Sequence, residues 1–390
     1  MSQVCDYLKA NEKASWEWFS SVEAQSDYAD SLRMELLKTT YRLGKEDHAE
    51  LYESGQEVLD KLELEIPLTI YQSQVKGEAS AALYYLPGEA HVVFFGNILE
   101  LLTAAELKSI LAHELAHYKI WQENEHEFLI ADRYLNATVG HPQAENSHLE
   151  TARRFRLFTE IYADRGSLYV LEDLDTVICA LIKVHTGMKQ VSSVNYLEQA
   201  NEIFSKEKVQ TEGLSHPEAF IRARALLYYK RQSERLEDEL NKMILGELET
   251  DSLDLIQQSL LTHLTSEFIK EILSPHWLKD NENFTNRLKL YSDPDFIFEG
   301  VITSDEFFKQ NKNEDVADYF SYVLIDFVAL DREMMPALAL HCYDIAQKFG
   351  IHESFESKLL KELKIKKTDW KSWLKNKSDI LAEVQNGEAK

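Results

Sequence analysis

Thr103-Ala104-Ala105-Glu106-Leu107-Lys108-Ser109-Ile110-Leu111-Ala112-His113-Glu114-Leu115-Ala116-His117 is the stretch from which the rest of the chain is read. Thr103 followed three positions later by Glu106 is a capping-box signature and predicts a helix beginning at Ala104. Leu107, Ile110, Leu111 and Leu115 recur at helical spacing and give that helix a core-facing side. On such a helix His113 and His117, four apart, project from one face and can share a metal ion. Glu114 then stands beside the ion, where it can act as general base on a metal-bound water. Two core histidines satisfied by hydrogen bonds would fit the apolar stripe as well, but the Glu between them favours the metal.

Zinc needs a third protein ligand and keeps a fourth position open for catalysis. The extended pattern HExxHxxGxxH would require Gly at 120 and His at 123; the chain has Ile120 and Glu123, which excludes that class. The gluzincin alternative takes a Glu from a second helix. Thr159-Glu160-Ile161-Tyr162-Ala163-Asp164-Arg165-Gly166 supplies one, with Glu160 and Asp164 four apart beside Phe155, Phe158, Ile161 and Leu168. A carboxylate at the edge of an apolar surface is costly without a partner, and a metal is a suitable one. Glu160 is the expected third ligand, and Asp164 the expected acceptor for the outer N–H of a ligating His. A solvated Glu–Asp pair is the alternative for the helix taken alone. His126, His141 and His148 lie between the two helices without ligand spacing.

Upstream, Pro67-Leu68-Thr69-Ile70-Tyr71 carries a strand signal. Ala81 to Leu86 and His91 to Phe95 flank Pro87-Gly88-Glu89 as a β-hairpin. Residues 1 to about 62 have a helical pattern, a long helix is expected from near His148 to Leu171, and nearly everything beyond 246 reads as helical. Loops are expected around Ser274-Pro275 and Ser292-Asp293-Pro294. The fold class is therefore α+β, mainly helical, with a small sheet edged by helices and an all-helical C-terminal region.

These motifs together resemble the zinc peptidase family that includes HtpX-like heat-shock proteases and CAAX prenyl proteases. The carrying features are the Leu86-Pro87-Gly88 turn, the strand Val92-Val93-Phe94-Phe95 followed by Gly96, HExxH, and Glu160 to Asp164. A later His216-Pro217 is followed by Arg222. The resemblance spans roughly residues 45–230. Ala116 departs from it, standing where the family has Gly, and so does the absence of any membrane-spanning segment. The soluble gluzincin branch is thus the better comparison. The resemblance implies one zinc ion held by His113, His117 and Glu160, and peptide-bond hydrolysis with Glu114 taking a proton from zinc-bound water. It further implies that His216 stabilises the oxyanion with Arg222 in support, and that Ala81, Ala82, Leu83, Tyr84 and Tyr85 form an edge strand for an extended protein or peptide substrate. His216-Pro217 also reads as an ordinary helix start, and the strand as an ordinary half-buried one. The alternative class is a catalytically inactive zinc-binding scaffold working through its C-terminal helices. The expected domains are N-terminal helices (1–45), the zinc metallopeptidase domain (46–235), a helical linker (236–285) and an all-helical accessory domain (286–390). Val323 to Glu333 and the helix after it faintly resemble TerB-like domains, which would make that region a regulatory or partner-binding module.

Composition narrows the field. Against 42 Lys+Arg stand 67 Asp+Glu, a net charge of −25, which disfavours nucleic acid or an anionic membrane as the main partner. The N-terminus has no signal-peptide pattern, and the longest apolar candidate, Tyr319 to Leu330, is short and contains Asp326. The scattered Cys5, Cys179 and Cys342 make no disulfide framework. The expectation is a soluble, cytoplasmic protein. Lys364, Lys366, Lys367, Lys371 and Lys375, interleaved with Trp370 and Trp373, read as a solvated terminal helix.

Overall fold

The computed structural model describes residues 1–75, 77–279, 282–291, 304–310 and 313–385. Two compact units divide between Gly246 and Glu247. The first contains α1 (Ser2–Asn11), α2 (Lys13–Ser20), α3 (Val22–Thr39), β1 (Thr40–Arg42), α4 (Ala49–Lys61), β2 (Leu68–Ser73), β3 (Ser80–Leu86) and β4 (Glu89–Phe95). It continues with α5 (Ile98–Leu101), α6 (Ala104–Gln122), α7 (Glu127–Val139), α8 (Asn146–Leu171), α9 (Leu174–Thr186), α10 (Ser193–Lys206), α11 (Ala219–Lys230) and α12 (Leu236–Ile244).

The strands form one sheet in the order β1-β2-β4-β3. β3 and β4 are the expected hairpin, registered from Ser80 opposite Phe95 to Leu86 opposite Glu89. Pro87 fixes its φ in the turn and Gly88, at φ 80°, takes the left-handed position that follows. β2 pairs with β4 in parallel, the β3–β4 hairpin returning the chain so that β4 lies beside β2. Short β1 pairs antiparallel with β2. It was not legible in a stretch read as helical throughout, since three residues carry no periodicity.

The apolar run of β4 is explained by cover on both faces. Ala90, Val92 and Phe94 join Val58 and Leu59 of α4 and Leu111 and Leu115 of α6 in one cluster. Val93 packs with Leu32 and Leu36 of α3 on the other face.

Two features fix α6 among the helices. At its start Thr103 and Glu106 form the expected capping box, and Lys183 of α9 donates to Glu106 Oε2 at 2.9 Å, both side chains being buried. Further along, α6 runs against α8 with almost no spacer. Ser109 and Ser167, both buried, hydrogen-bond at 2.8 Å, and a Cβ built on Gly166 would stand 2.4 Å from the Cβ of Ala116. Helix–helix contact this close requires Gly on one side and a small residue on the other.

The two units group the elements across the expected domain limits at two places. The N-terminal helices are part of the first unit, with Cys5 and Leu8 fully buried against Phe128, Tyr134 and Phe155. Residues 236–285, expected as a helical linker, divide between the two units. Met243 and Ile244 of α12 pack with Leu157 and Ile221 in the first unit, whereas Leu264, Phe268 and Ile272 belong to the core of the second.

The second unit is helical: α13 (Leu255–Ile272), α14 (His276–Lys279), α15 (Glu282–Tyr291), α16 (Ser304–Gln310), α17 (Glu314–Val328), α18 (Met335–Lys348), α19 (His352–Glu362), α20 (Lys367–Lys375) and α21 (Lys377–Gln385). Its core joins Phe268, Phe320, Phe327, Phe355 and Trp370. The lysine-rich segment is thus an anchored amphipathic helix and not merely a solvated one, since Trp370 is 1% exposed. The acidic turn before α18 has a local role, Asp331 accepting from the backbone N–H of Glu333 and Met334. The loop expected at Ser292-Asp293-Pro294 lies outside the described residues.

Two stability predictions follow from the seating of α6. Gly166→Val should force α6 and α8 apart and cost about 1–3 kcal/mol in denaturant unfolding; unchanged stability would contradict the close crossing. Glu106→Ala should cost about 3 kcal/mol near neutral pH, because it strands the buried Lys183 charge. Burial pushes the Glu106 pKa up, but Lys183 and the Thr103 cap outweigh it and hold it below the ordinary value. The pair's contribution is therefore present above the usual carboxylate pKa and is lost as pH falls through the lower folded one. The wild-type and variant unfolding curves should converge in acid.

Candidate active site

α6 and α8 present their polar residues to each other across the crossing. The rings of His113 and His117 lie one helical turn apart, 5.0 Å between centroids. Glu160 stands between them on α8: His113 Nε2 is 3.3 Å from its Oε2, and His117 Nε2 is 3.4 Å from its Oε1. One ligand atom from each of the three residues falls within 4.8 Å of the others, the distance a single ion could span. Asp164, one turn beyond Glu160, lies 3.1 Å from His113 Nδ1, the outer nitrogen. His117 Nδ1 is buried and has no hydrogen-bond partner among the described residues, so that the outer support there is one-sided.

Arg222 of α11 completes the arrangement from behind. Its Nε and terminal nitrogen donate to the two oxygens of Asp164 at 2.7 and 2.6 Å, a buried bidentate pair. Its side chain lies 3.7 Å from Glu160, but its hydrogen bonds go to Asp164, so it acts on the site by fixing that carboxylate.

The charges show what the site is built to hold. Burial works to lower the His113 pKa, yet Asp164 and Glu160 raise it to about 10. Burial works to raise the two carboxylates, yet the histidines hold Glu160 well below its ordinary value, and Arg222 with His113 holds Asp164 at about 2. The buried carboxylates thus demand positive charge between the helices. Glu160 Oε2 is buried and makes no hydrogen bond, an orphaned acceptor among imidazole nitrogens. Two imidazoles and one carboxylate with an accessible side fit a zinc ion bound at three positions with the fourth open.

A cleft of about 350 Å³ opens onto this group and is lined also by Glu114, His216, His185, Ser80 and Ala81. Glu114 is buried beside the two histidines of its own helix. His216 reaches the cleft from the loop before α11, its Nε2 3.5 Å from Glu160 Oε2, with its side chain half exposed. Pro217 precedes the cap residue Glu218 and is not in the first helical turn, unlike the plain helix-start reading. The loop is held by Glu218, which accepts from Thr211 Oγ1 at 2.7 Å and the Glu212 N–H at 2.9 Å, and by Arg153 donating to Gly213 O at 3.0 Å.

Of the proposed strand residues, Ala81 lines the cleft, while Leu83 and Tyr85 face the α6 side further along and Tyr84 faces α3. Ala82 sits opposite Val93 in the hairpin register. β3 is the outermost strand, and among the described residues no strand pairs with its outer edge. His185 was missed in the sequence because it ends an apolar helical run without ligand spacing. The Lys183–Glu106 pair ties that run to α6 and brings His185 to the cleft, its Nδ1 2.9 Å from Leu181 O.

Residues 45–140 match the family model described as Peptidase family M48. This stretch of the chain is similar to an M48 peptidase domain. The resemblance to HtpX-like and CAAX prenyl proteases read from the sequence is borne out, as is the mainly helical α+β class. The M48 match includes His113, Glu114 and His117 and ends before Glu160, which the first unit supplies from α8. The chain is also similar to the plastoglobule-localized metallopeptidase 48, chloroplastic, of Arabidopsis thaliana, at 28% identity over 219 residues. That alignment covers 52% of this chain and 62% of the relative, so the chain spans less than two thirds of that protein's length. No solved structure matches. Among the described residues, no helix is long and apolar enough to cross a membrane.

Asp164→Asn should weaken zinc binding by about 10- to 100-fold in competition with a chromophoric chelator, because it disturbs the carboxylate that orients His113. Unaltered affinity would remove Asp164 from the metal centre.

Proposed function

We propose that the chain is a zinc-dependent metalloendopeptidase that hydrolyses peptide bonds in a protein or peptide bound as an extended strand. The observation that carries this reading is the meeting of His113, His117 and Glu160 in one group, with His113, Glu160 and Glu114 lining a cleft beside a strand edge that no described strand pairs with. The M48 match and the metallopeptidase name of the relative support it from outside the geometry.

His113, His117 and Glu160 would hold the ion, which when bound supplies a Lewis acid for water and for the scissile carbonyl. Glu114 takes a proton from the attacking water at its carboxylate and returns it to the leaving amine. Asp164 keeps the His113 ring turned toward Glu160, and Arg222 keeps Asp164 ionised and in place. His216, half exposed at the cleft, donates a hydrogen bond from Nε2 to the oxyanion of the tetrahedral intermediate. The outer edge of β3 offers backbone donors and acceptors to the substrate main chain, which gives affinity with little sequence demand.

The second unit is assigned an accessory role, partner binding or regulation, as the faint TerB-like pattern suggests. The one candidate metal group among the described residues lies in the first unit. An inactive scaffold would need the ligands but would have no use for Glu114.

Glu114→Gln tests the general base. Zinc content should stay at one ion per chain while the cleavage rate of an unfolded protein substrate falls by about 100- to 10,000-fold. Full cleavage by the zinc-loaded variant would sink the role given to Glu114.

A further inference from the structure

A second cavity of about 370 Å³ lies along β3, lined by Leu83 and Tyr85 of that strand, Trp121 of α6, Leu129 and Asp132 of α7, and Trp18 and Phe19 of α2. The two cavities are linked by strand geometry. Ala81, Leu83 and Tyr85 alternate onto the α6 side of β3; Ala81 lines the first cavity, and Leu83 and Tyr85 the second. They are linked on α6 as well, where Trp121 lies one turn beyond His117, 5.7 Å away between ring centroids. A peptide paired with the outer edge of β3 advances about 3.3 Å per residue. With its scissile bond at the metal centre, it would carry a side chain over the second cavity about two to four residues away.

We infer that this cavity, walled in part by the N-terminal helix α2, is a specificity pocket that takes a bulky aromatic side chain of the substrate. The inference rests on the peptidase reading above. The chemistry of the wall selects the occupant. Four aromatic rings and two leucines line it, with Trp18 and Phe19 edge-to-face at 4.6 Å and Tyr85 and Trp121 edge-to-face at 6.0 Å. Rings so disposed favour another ring through further edge-to-face contact. The charged lining residues, Asp132 and Arg133, are opposite in sign and give no net charge to attract a basic or acidic side chain. The wall is also tied to the core. Phe19 packs on Tyr134 at 6.2 Å, and α1 and α2 are anchored through buried Cys5 and Leu8. Trp18 and Phe19 lie outside the matched M48 residues, so this wall is added to the domain by the chain's own N-terminal helices. Trp18 is 60% exposed, a large apolar surface available for contact.

The test uses the full, zinc-loaded chain and a library of unstructured peptides sampled by mass spectrometry. Cleavage products of the wild type should show aromatic residues enriched at one position about two to four residues from the cut. For a matched pair of peptides differing by Phe or Ala at that position, kcat/KM should favour Phe by about tenfold or more. Trp18→Ala should bring that ratio close to one, with zinc content and the far-ultraviolet circular dichroism spectrum unchanged, while Trp18→Phe should keep most of it. A wild type that cuts without aromatic preference, or a Trp18→Ala variant that keeps the full ratio, would overturn the pocket and leave the peptidase reading standing. A zinc-loaded wild type that cuts no peptide would overturn the peptidase reading, and the pocket with it.

Discussion

The crossing of α6 over α8 at Ala116 and Gly166 is the constraint on which the site depends. Gly166 leaves no room for a Cβ beside Ala116, and the Ser109–Ser167 hydrogen bond satisfies the polar atoms buried in the same seam. Only with the helix axes this close can a carboxylate on one helix stand between two imidazoles on the other. The Ala116 that departs from the family pattern meets Gly166 across the interface, so two small residues face each other in the seam.

Charge is the second level of organisation. Glu160 and Asp164 are two acidic groups buried on successive turns of α8, a placement that burial alone opposes. Arg222 neutralises one of them through a bidentate pair. The other is left facing His113 and His117 with an oxygen that makes no hydrogen bond. The two carboxylates are thus held asymmetrically: Asp164 is fixed from behind by Arg222, while a Glu160 oxygen faces the imidazoles without a hydrogen bond among the described residues. The same economy shows at the start of α6, where Glu106 both closes the capping box and neutralises Lys183 of α9. That contact seats the helix bearing His185 at the cleft.

Much of this was legible in the sequence because it is local. The capping box, the Pro87-Gly88 turn and the four-residue spacings of His113 to His117 and Glu160 to Asp164 are short-range patterns with fixed geometric meaning. What escaped was long-range. β1 is three residues that become a strand only by pairing with β2. The boundary between the units follows which core α12 and α13 join, and both read simply as amphipathic helices. Arg222 was recognised only through family resemblance, and its contact with Asp164 spans 58 positions. His185 had no pattern to betray it, since its position follows from an ion pair between distant helices.

The central claim is that the seam between α6 and α8 is built around a metal ion. Crystals of the zinc-replete full chain, measured on both sides of the zinc absorption edge, test it most directly. One anomalous peak is expected about 2.0–2.2 Å from His113 Nε2, His117 Nε2 and a Glu160 oxygen, with Asp164 still joining His113 to Arg222. A zinc-replete crystal with no peak there, and with His113 and Glu160 paired directly, would contradict it.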